Sequence, residues 1–361
     1  MNYRILILIY LSLSLSISSS AQSETETRNF IKSVPARKES SLEVYNKYGT
    51  IHITTWNKDS VNVRAEIKGV ATSQAKLKKM FDGISVTITE TNYLIRAQTD
   101  FSQNIGMFFE NFKGMTGNII TYGSRIEINY YISIPEYLNM KIENKYGDVY
   151  MENTTGNLSV TVSNGSFRAN SIGKGSSMTL AFCNAKINSI ESGEIEATFS
   201  EISINNTGYL KLNSTSSRYD IKVSDKILIE SRRDKLFIDE IGTLTGNSYF
   251  TDFNLANIVN EISLTTKYGN LNTDLIRKGF KTIDINSSYT DLTLRFDNNS
   301  SYNLDIRRLN AFLVLPNKNM KTEEKVINAD KKEYITFGTY GSDPATAKVN
   351  IDATRGNIHL K

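Results

Sequence analysis

The sequence has few of the residues on which many catalytic centres and disulfide frameworks depend. Among 361 residues there are one cysteine, Cys183, and two histidines. One thiol cannot form an internal disulfide. His52 and His359 lie near opposite ends of the chain, so we expect neither a histidine-based triad nor a zinc site. Four prolines and no low-complexity linker favour one continuous domain. We expect no cofactor and no bound metal.

Excess charge and long apolar runs are also scarce. The formal net charge is +4, and no basic tract stands out, which argues against a nucleic-acid partner. The one long apolar run, 5–17, follows Arg4 and ends in the small residues Ser18–Ala21. This pattern predicts a signal peptide over residues 1–21 with cleavage after Ala21, and no transmembrane span in the mature chain. We therefore expect an exported protein that is periplasmic, secreted or on the outer surface.

What the sequence does contain is a recurring five-residue phrase. Its clearest copies are Lys47-Tyr48-Gly49-Thr50-Ile51, Lys145-Tyr146-Gly147-Asp148-Val149 and Lys267-Tyr268-Gly269-Asn270-Leu271. Weaker copies follow at intervals of 15 to 21 residues, with alternating apolar and polar residues on either side. Such regular spacing is typical of a stacked repeat. The predicted fold is therefore all-β, a single-domain parallel β-helix or β-solenoid over residues 22–361.

The glycine of the phrase marks the point where the alternation breaks. Before Gly147 the apolar residues share one parity, and after it the apolar set resumes on the other. A corner of the chain explains this break, and glycine reaches positive φ there without a steric penalty. We predict structural corners at Gly49, Gly147, Gly165 and Gly269.

The position just before each marker holds aromatic residues and arginines. Because arginine is rarely buried without a partner, we expect this column to run along the surface as a stripe. The predicted stripe comprises Tyr146, Phe199, Arg218, Arg233, Phe250, Tyr268 and Tyr289. It could bind a surface glycan or an envelope protein, or its side chains could stack on one another only to hold the corner.

One insertion interrupts the repeat, over residues 70–124. Residues 72–82 have apolar side chains at helical spacing, which predicts a short helix. Residues 100–122 form a Phe-rich loop, which is either a flap over the end of the stack or a contact surface.

Three segments together carry a family resemblance: Leu42-Glu-Val-Tyr-Asn-Lys-Tyr-Gly-Thr-Ile51, Ile128-Asn-Tyr-Tyr-Ile-Ser-Ile-Pro135 and Lys141-Ile-Glu-Asn-Lys-Tyr-Gly-Asp-Val149. Their order, with a short helix between the first and second, resembles the bacterial putative-adhesin family related to the head GIN-domain proteins. The resemblance extends from about Val44 to Lys361. It implies an exported β-helical envelope protein and supplies no catalytic residues.

Two functions follow as hypotheses. The first is a non-enzymatic envelope protein, either adhesin-like or structural, that presents the aromatic and arginine stripe. The alternative is a polysaccharide-degrading β-helix, which needs carboxylates on adjacent repeats. Only Glu201 and Asp220 are expected on neighbouring repeats, so we expect no catalytic constellation. The sequence specifies no oligomeric state.

Overall fold

The computed structural model describes residues 23–102, 119–121, 124–341 and 344–361. This part of the chain is nearly all β and contains one helix, α1 (Gln74–Asp82), which confirms the all-β class and the short helix. The predicted signal peptide 1–21 and most of the loop 100–122 lie outside the described residues. The strands are β1 Glu24–Pro35, β2 Ser41–Lys47, β3 Ile51–Thr55, β4 Ser60–Ala71, β5 Ile84–Glu90, β6 Leu94–Phe101, β7 Ile119–Thr121, β8 Ser124–Ile134, β9 Asn139–Lys145, β10 Val149–Thr154, β11 Leu158–Ile172, β12 Ser176–Thr198, β13 Glu201–Thr215, β14 Arg218–Arg232, β15 Lys235–Ile276, β16 Thr282–Phe296, β17 Tyr302–Leu309, β18 Phe312–Val314, β19 Met320–Asn328, β20 Glu333–Tyr340, β21 Ala347–Thr354 and β22 Asn357–Leu360.

Parallel pairing joins the middle of the chain. From β11 to β16 each strand pairs in parallel with the next one, and β11 also pairs in parallel with β9 and β10, which pair in turn with β2 and β3. Val160 lies opposite Met178, and Asn205 bonds to Asn188, 17 residues earlier. β15 spans more than one repeat, because Asn270 Nδ2 donates to Asp252 Oδ1 at 2.8 Å, 18 residues earlier in the same strand. Equivalent residues of successive repeats therefore lie side by side.

Alternation places one apolar set of each strand inside. Ile187, Ile204, Ile221 and Ile238 are partners in adjacent strands, and each is 2 % exposed or less. Burial of one such side chain contributes roughly 1.5–3 kcal/mol. Parallel pairing brings these apolar side chains of neighbouring strands together, and their packing contributes to stability.

Antiparallel pairing appears in the N-terminal part of the described chain. β4 pairs antiparallel with β1 and β8, so the residues that follow the first copy of the phrase belong partly to an antiparallel sheet. Helix α1 packs on this sheet, with Leu77, Met80 and Phe81 buried. Gly69 of β4 permits the contact, because a Cβ atom there would lie 2.6 Å from the Phe81 ring.

A second interruption lies near the C-terminal end of the chain. β19 and β20 form an antiparallel pair, and β20 also pairs antiparallel with β17. Parallel pairing resumes with β21 and β22 on β16. The expectation of a single interruption is therefore wrong. The second interruption was not visible in the sequence, because apolar and polar residues alternate with the same period in parallel and antiparallel strands.

Candidate functional site

One residue in each repeat has a left-handed backbone. These corner residues have φ between 48° and 65° and are Tyr48, Tyr146, Asn164, Phe182, Phe199, Ser216, Arg233, Phe250, Tyr268, Tyr289 and Arg355. Bulky residues seldom adopt this conformation, which costs of order 1–3 kcal/mol and persists only where the surroundings impose it. Parallel pairing on both sides imposes it here. The corner residues thus form a column whose backbone conformation is fixed by strand pairing.

The backbone conformation of the predicted corner glycines differs from the expectation. Gly49, Gly147 and Gly165 follow the left-handed residue and do not themselves have positive φ, whereas Gly269 has φ 143°. These glycines matter because the backbones of neighbouring strands approach each other closely at this position. A Cβ atom at Gly147 would lie 1.8 Å from the carbonyl oxygen of Gly49, and one at Gly165 would lie 2.0 Å from that of Gly147.

Six of the seven predicted stripe residues are corner residues, and Arg218 is not. Ser216 occupies the corner of its repeat, and Arg218 lies two residues later, paired with Glu201 and Lys235 in adjacent strands. Arg218 Nη2 contacts Asp220 Oδ1 at 2.9 Å. Its guanidinium carbon also lies 4.0 Å from the centroid of the Phe237 ring. Arg218 is therefore not part of the corner column.

The structure adds a corner residue that the sequence prediction omitted. Phe182 is 58 % exposed and stacks on Phe199, which is 56 % exposed, with ring centroids 5.2 Å apart. Counting 17 residues back from Phe199 reaches Phe182, and counting 17 residues forward reaches Ser216. A constant repeat length would therefore have located both of these corner residues.

The exposed side chains of the column stack on one another. Phe250 and Tyr268 are stacked at 4.7 Å, and Tyr268 and Tyr289 are tilted at 5.1 Å. Arg355 ends this group, with its Nη1 donating to Tyr289 Oη at 2.6 Å. Phe250 and Tyr289 remain 46 % and 42 % exposed. The aromatic surface is thus continuous over three repeats.

A ladder of polar side chains supports the corner from behind. Cys183, Ser200, Ser217, Asp234 and Thr251 each follow a corner residue and are buried. Each side chain from Ser200 to Thr251 accepts a hydrogen bond from the backbone N–H of the preceding member, at 3.1, 3.2, 2.7 and 3.5 Å. Burial raises the pKa of the Asp234 carboxyl, although hydrogen bonds from Ser231 Oγ and Ser217 N–H oppose the shift. This ladder takes the place of glycine in the middle repeats.

The two carboxylates considered for catalysis do not occupy equivalent positions. In the parallel register Glu201 lies opposite Arg218, and Asp220 lies opposite Ser203. Asp220 is held by Arg218. The register therefore does not place Glu201 and Asp220 opposite each other. Within the described residues, no group of three or more His, Cys, Asp or Glu side chains is placed to hold a metal ion.

Over the same part of the chain, no helix is long and apolar enough to cross a membrane. No protein-family model matches the sequence, and no curated protein matches it.

Several solved structures are similar to this chain at low identity. One is described as a putative cell adhesion protein from Clostridium sporogenes, with 12% identity, a TM-score of 0.20, and coverage of 93% of this chain and 100% of that one. Another is described as a putative adhesin from Bacteroides fragilis, with 10% identity, a TM-score of 0.32, and coverage of 94% and 97%. A third is described as a putative lipid binding protein from Parabacteroides distasonis, with 10% identity, a TM-score of 0.26, and coverage of 93% and 96%. Two of these names are of the same kind as the family that the sequence resembles. At such TM-scores the likenesses are too weak to specify a function.

Proposed function

We propose that this chain is an exported, non-enzymatic protein of the bacterial cell envelope, built as a parallel β-solenoid that binds a surface glycan or an envelope protein through its corner column. The observation that carries the proposal is the set of exposed aromatic rings at the left-handed positions. Large apolar side chains in a continuous exposed patch are typical of an interaction surface. A purely structural corner would not require them, because Asn164 and Ser216 occupy the same backbone position.

The geometry supports a binding surface that is rigid before a partner arrives. Backbone pairing fixes each corner residue, and ring stacking fixes the side chains, so little conformational entropy is lost on binding. The stacked rings cover each other's faces, which leaves their edges and the outer ends of each group to contact a partner. Arg233 is exposed beside Phe250 and supplies a donor at one such end.

The stripe is tested by replacing Tyr146, Arg233, Phe250 and Tyr268 with Asn, alone and together. Asn suits the left-handed backbone, as Asn164 does in the same column. Binding is measured on a glycan array and on purified envelope proteins. We expect the fourfold variant to lose binding that the wild type shows.

Matched controls are Tyr93→Asn and Tyr209→Asn, since both tyrosines are exposed outside the column, at 56 % and 39 %. These variants should bind as the wild type does. Unchanged binding in the fourfold variant would show that the stripe is not the binding surface.

The proposed architecture and export have their own tests. Parallel stacking of repeats supports a rod, which small-angle scattering of the mature protein would detect as an elongated particle; a compact sphere would contradict it. Mass spectrometry of the protein from fractionated cells should find an N-terminus at Gln22. An N-terminus at Met1 in the cytoplasmic fraction would contradict export.

A further inference from the structure

A groove of about 650 Å³ lies on the outer face beside the corner, across strands β12 to β15. The parallel register lines up one of its walls from Glu196, Asn213, Glu230 and Asn247, each opposite the next. Carboxylate and amide therefore alternate along the groove at the strand spacing of ~4.8 Å. Such a regular row of polar groups is set by the repeat itself.

Hydrogen bonds orient the amides of this wall. Asn247 Nδ2 donates to Glu230 Oε1 at 2.7 Å, and Asn213 Nδ2 donates to Glu194 Oε1 at 2.8 Å. An ionised carboxylate accepts about four hydrogen bonds, so Glu230 keeps acceptor capacity toward the groove. The wall offers acceptors from the carboxylates and both donors and acceptors from the amides.

The opposite wall consists of Arg232, Tyr249 and Lys267. Tyr249 is fixed by edge-to-face contacts with Phe250 at 4.6 Å and Tyr268 at 5.5 Å, yet remains 36 % exposed. Two cationic side chains here balance the two carboxylates across the groove. The balance of charge favours a ligand without net charge.

From this arrangement we infer that the groove binds a neutral, extended oligosaccharide. Hydroxyl groups both donate and accept hydrogen bonds, which suits alternating carboxylates and amides. The wall offers a carboxylate or an amide at every strand spacing, so the hydroxyl groups of a linear sugar chain meet a hydrogen-bonding side chain at each strand. An extended peptide is less well matched, because peptides add to free sheet edges, and the backbone under this groove is already paired on both sides. The groove adjoins the column at Tyr249, but its row of Glu and Asn side chains contains no column residue.

The test uses neutral hexasaccharides of glucose, xylose and mannose as probes, measured by titration calorimetry on the mature protein. The double variant Glu230→Ala with Asn247→Ala removes two groups of the wall. Each lost hydrogen bond costs of order 1 kcal/mol, so affinity should fall by about tenfold or more. The matched control is Asp239→Ala with Asn257→Ala, another acid and amide one repeat apart, where Asn257 Nδ2 donates to the Asp239 carbonyl oxygen at 3.0 Å.

The inference holds if the wild type and the control bind at least one neutral hexasaccharide and the groove variant binds it more weakly. It is overturned if the wild type binds none of them, if it binds only an acidic oligogalacturonate or an extended peptide, or if the groove variant binds as well as the control. The Phe182→Asn variant separates the two proposals, because it removes an exposed column side chain that stacks on Phe199 and leaves Tyr249, Glu230 and Asn247 in place.

Discussion

The imidazole ring of His52 lies parallel to the phenol ring of Tyr131, with centroids 5.1 Å apart and an interplanar angle of 2°. Tyr150 covers the other face at 5.2 Å. Arg64 and Arg168 lie beyond the two tyrosines, at 4.0 and 5.5 Å from the ring centroids. Residues far apart in sequence thus form one stacked row across adjacent strands.

The burial of His52 between Tyr131 and Tyr150 predicts that the stability of the fold depends on pH. Burial lowers the pKa of His52 from 6.5, and the opposing effect of Asp148 is smaller. The folded state therefore binds a proton less readily than the unfolded state. The stabilising contribution is present above pH 6.5 and is lost as the pH falls through the lowered pKa. Urea unfolding at pH 8 and pH 5 should show a smaller loss for His52→Phe than for the wild type. Tyr131→Phe, which keeps the stack and the imidazole, should follow the wild type; equal losses in all three would contradict the prediction.

Close stacking at Gly147 predicts a large effect of one methyl group. Gly147→Ala places a Cβ atom 1.8 Å from the Gly49 carbonyl oxygen, and neither backbone can move without breaking strand pairing. We expect a loss of about 3 kcal/mol or more in the free energy of unfolding, since overpacking in a rigid site costs at least 1–3 kcal/mol.

Gly279→Ala is the matched control for steric contact. Gly279 has φ 88° but no atom within 4 Å of the added Cβ, so only the conformational cost of about 1–2 kcal/mol applies. Equal losses for the two variants in denaturant titrations would show that contact with Gly49 does not matter.

The left-handed backbone at Phe250 predicts that the shape of the replacement matters as much as the lost ring. Phe250→Asn and Phe250→Val both remove the stack on Tyr268. Asn tolerates φ 57°, whereas a β-branched residue is strained at this φ. Phe250→Val should therefore be less stable than Phe250→Asn by about 1–2 kcal/mol. Thermal unfolding of both variants measures the difference, and a more stable Val variant would contradict the assignment.

The sequence locates the corner residues where the five-residue phrase contains its glycine, and it does not locate them where the glycine is replaced. Tyr146 and Tyr268 precede glycines and were placed correctly at the corner. In the middle repeats the marker position holds Cys183 and Ser217, whose side chains belong to the polar ladder. Neither residue resembles glycine, so the predicted register slipped by two residues and selected Arg218.

The groove could not be found from the sequence for the same reason. Its wall depends on Asn213 lying opposite both Glu196 and Glu230, and a slip of two residues removes that match. The antiparallel ends were missed because strand direction leaves no trace in apolar alternation. By contrast, the sequence does predict which residues of each strand are buried, because apolar residues such as Ile204 and Ile221 alternate with polar ones.

Asp234 predicts a pH dependence opposite in sign to that of His52. Burial raises the pKa of its carboxyl above 3.8, so the folded state favours the protonated form. The stabilising effect of that proton is present below pH 3.8 and is lost as the pH rises through the raised pKa. Asp234→Ser keeps an acceptor for Ser217 N–H, as Ser217 Oγ itself provides for Ser200 N–H. The stability of this variant relative to the wild type should therefore increase between pH 4 and pH 7 in urea titrations. Thr290→Ser, a change without a titrating group at the equivalent corner position, should differ from the wild type by the same amount at both pH values. A constant difference for Asp234→Ser as well would mean that its carboxylate is not destabilised by burial.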